Sequence, residues 1–323
     1  MPLYVSGMTI SFFDAAEVEQ LLDYPGCTGA MRRAMAALSI GERPQPLREI
    51  WTVGQGTWGI MPGDLAELST FGAKLVRVFS DPERPGCTRH KGLVVAFNGE
   101  TGAVSCIADA EQITKIRTGC ATAAATDALA RPDAEVLAIF GTGVQAEAHL
   151  RAVPLVRQFR EILLWGRSED KVRAFADRMS EEIHQAITPV LDARHATESA
   201  DVICTVTSSR EPVVLRDWVK PGTHINAVGS SYLGPVEIDP AIVAVSRYLA
   251  DYRPGALAQG AELAAAREAG LIDERFEVLE IGDVFAGRIS GREDDSQITI
   301  YKSLGHVVQD LAAAVYLQEQ ASR

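Results

Sequence analysis

The chain has 323 residues, with 31 basic and 43 acidic side chains and a formal charge of −12. That length allows one large domain or about two smaller ones, and 47% apolar with 23% charged residues excludes disorder, collagen and coiled coil as whole-chain descriptions. The acidic balance argues against nucleic acid or an anionic membrane as a broad partner, while leaving room for a local basic patch that holds an anion.

In chain order, residues 14–22 and 29–38 read as two helices. Short alternating or β-rich runs follow at Glu49–Val53, 73–79, 92–97 and 103–108. Turn signals lie between them at Pro62-Gly63, Asp81-Pro82 and Asn98-Gly99-Glu100-Thr101-Gly102. This part predicts an antiparallel sheet with helices to one side. Near residue 117 the rhythm changes. An Ala-rich helix over 118–130 closes at Arg131-Pro132-Asp133. A strand at 135–140, a helix at 144–156, a strand at Glu161–Trp165 and a helix at Glu169–Ile183 come next, then short apolar strands at 201–207 and 224–228. Such alternation implies an α/β fold, a parallel sheet with helices on both faces. A last helix over 303–318 can return to pack on the first part.

Five scattered cysteines, Cys27, Cys87, Cys106, Cys120 and Cys204, form no CxxC pair. Neither a disulfide framework nor a metal site is expected. The start has no basic segment followed by an apolar one, and no run approaches the roughly 20 apolar residues that cross a bilayer. A soluble cytoplasmic protein is expected.

The strongest local signal is an apolar strand, Val136-Leu137-Ala138-Ile139-Phe140, running into Gly141-Thr142-Gly143-Val144-Gln145-Ala146 and an amphipathic helix. Gly141 permits the tight turn, Gly143 lets the backbone approach a pyrophosphate, and Ala146 lets helix and strand pack closely. The helix N-terminus offers free N–H groups to phosphate oxygens. The bland alternative is an ordinary tight turn between strand and helix. These six residues point to a dinucleotide on a Rossmann-type doubly wound sheet. The second strand ends in Gly166-Arg167-Ser168, with no acid at its tip to hold ribose hydroxyls. Arg167 and Ser168 suit a 2′-phosphate, so NADP(H) is favoured over NAD(H); otherwise Arg167 is a solvated turn residue.

Three cations stand out by setting: Arg48 at the head of a β-rich run, Lys74 inside Phe71-Gly72-Ala73-Lys74-Leu75-Val76, and Arg117 within Lys115-Ile116-Arg117-Thr118-Gly119. Taken singly, each reads as structural or solvent-facing, and spacing alone does not join them. The chain nevertheless resembles the ornithine cyclodeaminase/mu-crystallin family. The residues that carry the resemblance are Phe71–Val76, Ile116-Arg117-Thr118, the Gly141–Ala146 turn, His224-Ile225-Asn226-Ala227-Val228-Gly229 and Lys302-Ser303-Leu304-Gly305.

The resemblance implies a discontinuous α+β domain for substrate binding and dimerisation, residues 1–117 with 304–323, and a dinucleotide-binding domain over 118–303. It implies a homodimer, with substrate between the domains. It maps carboxylate-binding arginines onto Arg48 and Arg117, and an active-site lysine onto Lys74. It places His90, Thr205, Thr207, Ser303 and Leu304 near the cofactor. Physical logic agrees: a guanidinium holds a carboxylate in forked geometry, and Lys74, its pKa depressed by two arginines, can protonate or polarise the reacting group.

Cyclodeaminases and related alanine dehydrogenases carry Asp two residues after the His224–Gly229 string, where this chain has Ser231. A hydroxyl is a poor base, whereas ketimine reductases of the family also have Ser there. The expected activity is therefore NAD(P)H-dependent reduction of the C=N bond of an imino acid, with Arg48, Lys74, Arg117 and Ser231 at the reacting centre. The alternatives are ornithine cyclodeamination, an amino-acid dehydrogenase, or a ligand-binding role without chemistry. If another acid replaces the missing one, Asp239, Asp251 and Asp283 are candidates, though each reads more simply as capping or ending an element.

Overall fold

The computed structural model describes residues 3–5, 8–80 and 88–323, so the Asp81-Pro82 turn and Cys87 lie outside the described residues. The chain divides into two units, Met1–Arg117 with His306–Arg323, and Thr118–Gly305.

The first unit is built on a seven-stranded sheet. Its strands are β1 (Leu3–Val5), β2 (Met8–Phe13), β3 (Glu49–Val53), β4 (Gly56–Leu65), β5 (Thr70–Ser80), β6 (Thr88–Asn98) and β7 (Val104–Asp109). They lie in the order β1-β2-β7-β6-β5-β4-β3, antiparallel throughout except for the β2–β7 pair. Between β2 and β3 run α1 (Ala15–Leu21) and α2 (Tyr24–Ile40). Asp14 and Glu17 form a reciprocal cap on α1. Asp23 caps α2, and Pro25 sits in its first turn, which starts that helix well before residue 29.

Two expectations fail here for physical reasons. Pro62-Gly63 is not a turn but lies inside β4, opposite Ala73 and Gly72 of β5. Pro is tolerated because β3 reaches only to Ile60, leaving β4 an edge strand at Pro62. Gly63 is required by packing: a Cβ there would lie 2.4 Å from Val307 Cγ1. The Ala-rich helix does not begin at residue 118 either. As α3 (Ala110–Leu129) it follows β7 directly, and Asp109 Oδ1 accepts the Gln112 N–H at 2.7 Å. Arg117 is thus interior to a helix.

The C-terminal helix Val307–Ala321 packs on α2 and lies across β4 to β7. Beneath it the inner face of the sheet carries a row of small residues, Gly63, Gly72, Ala96 and Cys106, in register across four strands. The next row is Met61, Lys74, Val94 and Ala108. The small row lets the helix approach closely, and that approach places a helix side chain against Lys74.

In the second unit the strands are β8 (Val136–Phe140), β9 (Glu161–Trp165), β10 (Ile187–Val190), β11 (Val202–Thr205), β12 (His224–Ala227), β13 (Ser246–Ala250), β14 (Leu279–Glu280) and β15 (Ile298–Lys302). Every pair is parallel, in the order β10-β9-β8-β11-β12-β15-β13-β14. Helices α4 (Val144–Ala152), α5 (Glu169–Ile183), α6 (Ala193–Ser199), α7 (Pro240–Ala244), α8 (Arg253–Gln259), α9 (Ala261–Glu268) and α10 (Ile281–Phe285) connect them. Phe140, Leu163, Ile203, Ile225, Tyr248 and Ile300 belong to the central core. Strand order reverses between β8 and β11. In such a doubly wound sheet the crevice at the carboxyl ends of these two strands is the ligand site.

Candidate functional site

In the first unit, Lys74 is only 4% exposed and stands in the apolar row of β5. A buried ammonium needs a counter-charge, and Asp310 on the C-terminal helix supplies it. Asp310 Oδ2 is 3.0 Å from Lys74 Nζ. Its Oδ1 accepts the Nε–H of Arg117 at 3.0 Å, while Gln309 Oε1 accepts from Nη1 at 2.7 Å. Thr114 Oγ1, one turn before Arg117 on the same face of α3, accepts from Lys74 Nζ at 3.3 Å. Two buried cations therefore share one fully buried carboxylate.

Burial lowers the pKa of Lys74 to about 8; Asp310 opposes the shift, and the charges of Arg117 and then Arg48 add to it. The sequence-based expectation named the two arginines as the cause, but lost solvation is the larger one. His306 caps the C-terminal helix by accepting the Val308 N–H at 3.3 Å. Burial, resisted by Asp310, takes its pKa down to about 4, so the ring is a neutral acceptor. Arg48 is half-buried and acts electrically on both Lys74 and His306. The structure thus joins the three cations that spacing alone leaves apart. His90, on β6, shares the sheet face of Lys74; desolvation and then the Lys74 charge lower its pKa.

In the second unit, Gly141 adopts φ 128°, and a Cβ there would meet Val206 O at 2.9 Å. Only glycine suits that turn. Gly143 is the N-cap of α4, makes no side-chain cap bond, and opens onto free space where a Cβ would stand. The first N–H groups of α4 are therefore available to an anion. Thr142 and Gln145 are half-buried and Val144 is exposed, whereas Ala146 is buried against the sheet. Arg167 is exposed at the tip of β9 and makes no ion pair among the described residues. Ser168 is the N-cap of α5, yet its hydroxyl makes no cap bond. These features fit a dinucleotide, with the pyrophosphate on Gly143 and the α4 N-terminus.

The remaining expected residues of the second unit lie at or past the carboxyl ends of β11, β12 and β15. Thr205 is fully buried, and its hydroxyl donates inward to Glu237 Oε2 at 3.0 Å. Thr207 donates to Glu237 Oε1 through its N–H and its hydroxyl. These contacts engage both threonine hydroxyls with one buried carboxylate. Ser231 follows β12 and is half-buried. Ser303 and Leu304 are buried past the end of β15, and Asp251 Oδ2 accepts the Leu304 and Gly305 N–H groups at 2.8 and 2.6 Å. Asp239 caps α7, and Asp283 lies in the first turn of α10. Nothing in the sequence reading marked Asp310, Gln309, Glu237, Glu262 or Lys302 as interacting side chains. The available signal was a charged residue inside an apolar run, as in Val307-Val308-Gln309-Asp310-Leu311.

A model of the ornithine cyclodeaminase/mu-crystallin family matches residues 9–323. The chain is 33% identical over 268 residues to a Δ1-pyrroline-2-carboxylate reductase of Bacillus cereus, covering 83% of this chain and 82% of that protein. It is 31% identical over 272 residues to the ketimine reductase mu-crystallin of Mus musculus, covering 84% and 83% respectively. Among solved structures, the Δ1-pyrroline-2-carboxylate reductase of Thermococcus litoralis in complex with NADH and L-proline superposes with a TM-score of 0.91 at 31% identity, over 97% of this chain and 98% of that one.

Proposed function

The chain belongs to the ornithine cyclodeaminase/mu-crystallin family, and from that premise we propose an NAD(P)H-dependent reductase of the C=N bond of small imino acids, giving L-amino acids. The observation that carries the reading is the buried group of Lys74, Arg117 and Asp310, in which one carboxylate faces two cations. The surplus positive charge suits a substrate carboxylate, and a lysine at about 8 holds a proton at neutral pH that it can release.

In this reading the unit Met1–Arg117 with His306–Arg323 takes the substrate and dimerises, and the unit Thr118–Gly305 takes the dinucleotide. A bound reduced nicotinamide supplies the hydride. Arg48 and Arg117 hold the substrate carboxylate, which fixes the imine carbon and nitrogen. Lys74 Nζ gives its proton to the nitrogen as the carbon accepts the hydride, so the C=N bond becomes a CH–NH bond. Asp310 keeps Lys74 charged and aimed. Ser231 offers a neutral hydrogen bond where a cyclodeaminase carries a carboxylate. Gly141 to Ala146 hold the pyrophosphate. The exposed Arg167 and the Ser168 hydroxyl favour the 2′-phosphate of NADPH.

Phe12, Trp51, Trp58, Phe71 and Leu93 lie on the outer face of the first sheet, each about two-fifths exposed. An apolar face of that size fits a homodimer. Among the described residues no helix is long and apolar enough to cross a membrane.

The test is oxidation of NADPH and NADH against a panel of cyclic and linear imino acids. Consumption of reduced cofactor with a cyclic imino acid supports the reading. Ammonia release from ornithine without net cofactor change identifies a cyclodeaminase instead.

A further inference from the structure

A second buried ionic cluster lies past the carboxyl ends of β11, β12 and β15, and the chemistry above makes no use of it. Glu237 is fully buried and accepts four hydrogen bonds. Its Oε1 takes the Thr207 N–H at 2.6 Å and the Thr207 hydroxyl at 2.8 Å. Its Oε2 takes the Thr205 hydroxyl at 3.0 Å and the Ser230 N–H at 3.1 Å. One carboxylate thereby ties the loop after β11 to the loop after β12. Lys302, also fully buried, donates to Ser230 O at 2.5 Å and Ser230 Oγ at 2.6 Å. It pairs with Glu262 Oε2 at 2.7 Å, and the Ser230 hydroxyl donates to Glu262. Every polar atom of Ser230 is therefore held, one residue before Ser231.

The neighbouring backbone is shaped to admit this carboxylate. A Cβ on Gly229 would stand 2.6 Å from Glu237 Oε1 and 2.1 Å from Thr207 O. Two of Glu237's four partners are backbone N–H groups, which can only donate; burial raises its pKa, opposed by the Thr207 bonds and the Lys302 charge. Each of its oxygens takes one backbone N–H, and a backbone N–H cannot reverse its role. An amide in the same place must leave one of those N–H groups facing an NH₂.

We propose that Glu237 is a positioning residue that locks the two loops into one ledge beneath the nicotinamide half of the dinucleotide. This rests on the reading of the second unit as the dinucleotide-binding domain. In a doubly wound sheet the ligand spans the switch point. The Gly141 turn and Arg167 serve the adenosine and pyrophosphate end, so the loops after β11 and β12 serve the other. Glu237 touches neither ligand nor reacting atoms; it fixes the backbone of Thr207 and of Ser230, and through Ser230 the position of the next residue, Ser231.

The test compares two ligands on the full chain by fluorescence or calorimetric titration: NADPH, and 2′-phospho-ADP-ribose, which lacks the nicotinamide. Glu237→Gln is expected to raise the dissociation constant for NADPH by about tenfold, with that for 2′-phospho-ADP-ribose within about twofold of wild type. Thr205→Val removes one of the four bonds without changing side-chain volume much, and serves if Glu237→Gln does not fold. It is expected to show the same pattern at about threefold. Equal weakening of both ligands, or no weakening of NADPH by either variant, overturns the proposal. If the wild type binds neither, NADH and ADP-ribose take their places in the same comparison; a wild-type protein that binds none of the four overturns the dinucleotide reading itself.

Discussion

Replacing Asp310 by Asn keeps the side-chain shape and removes the charge that Lys74 and Arg117 share. Its two oxygens lie 3.0 Å from Lys74 Nζ and 3.0 Å from Arg117 Nε. A unit-charge pair at that separation is worth about 5 kcal/mol at an effective dielectric constant of about 20, equivalent to roughly four pKa units. The Asn carbonyl retains a hydrogen bond and water relaxes around the freed cation, so the net fall in the Lys74 pKa is roughly one to three units. From its present value of about 8, that leaves Lys74 largely neutral at physiological pH. With Lys74 as the proposed proton donor, the alkaline limb of kcat/KM for imine reduction is expected to move down by the same amount. Breaking a buried pair on one side also costs about 3–5 kcal/mol, a fall in Tm on the order of 10 °C. The assay is a pH–rate profile from about pH 4 to about pH 10, with a thermal melt of the same protein. A limb within about 0.3 units of wild type and an unchanged melt refute the reasoning.

Lys74 also makes stability depend on pH. Its folded pKa of about 8 lies below the ordinary 10.5, so between those values the unfolded chain holds a proton that the folded chain has released. Stability therefore rises with pH across that window, by about 3 kcal/mol from this group, and urea titrations at both ends should show the rise vanish in Lys74→Met. Gly63→Ala puts a methyl 2.4 Å from Val307 Cγ1. It should cost about 1–3 kcal/mol and lower kcat/KM by displacing Asp310; a melt and turnover equal to wild type would remove the small-residue row from the account. Arg167→Asp should raise KM for NADPH by roughly 10- to 100-fold while leaving NADH nearly unaffected, if the exposed guanidinium meets a 2′-phosphate. Equal effects on both cofactors would remove the 2′-phosphate contact, and no effect on either would assign Arg167 to solvent.

The parts of the fold that sequence makes legible are those with local causes. The Gly141 turn announces itself because a backbone at φ 128° under Val206 admits only glycine. The strands β8 and β9 read as strands because they are short, apolar and bounded by turn residues. β4 is not legible, because Pro62-Gly63 imitates a turn and only the ends of β3 and the packing of a distant helix explain them. The start of α3 is hidden because its cap, Asp109, also ends a strand. The cations of the first unit are visible as oddities, but the carboxylate that organises them is not. Arg117 and Asp310 are joined only when the C-terminal helix crosses the sheet, and no local pattern reports that crossing. Glu237 is hidden likewise: its partners come from two loops and a glycine whose missing side chain makes its space.

The central claim is that Arg117 and Lys74 hold and protonate an imino acid for reduction. It is tested most directly by single-turnover transfer from NADPH carrying deuterium at both C4 positions to Δ1-pyrroline-2-carboxylate, comparing wild type with Arg117→Lys. The account predicts proline labelled once at its α-carbon by the wild type. Because a lysine cannot reproduce the forked contact, it also predicts a roughly hundredfold slower rate in the variant. Unlabelled product, or equal rates from the two proteins, would contradict it.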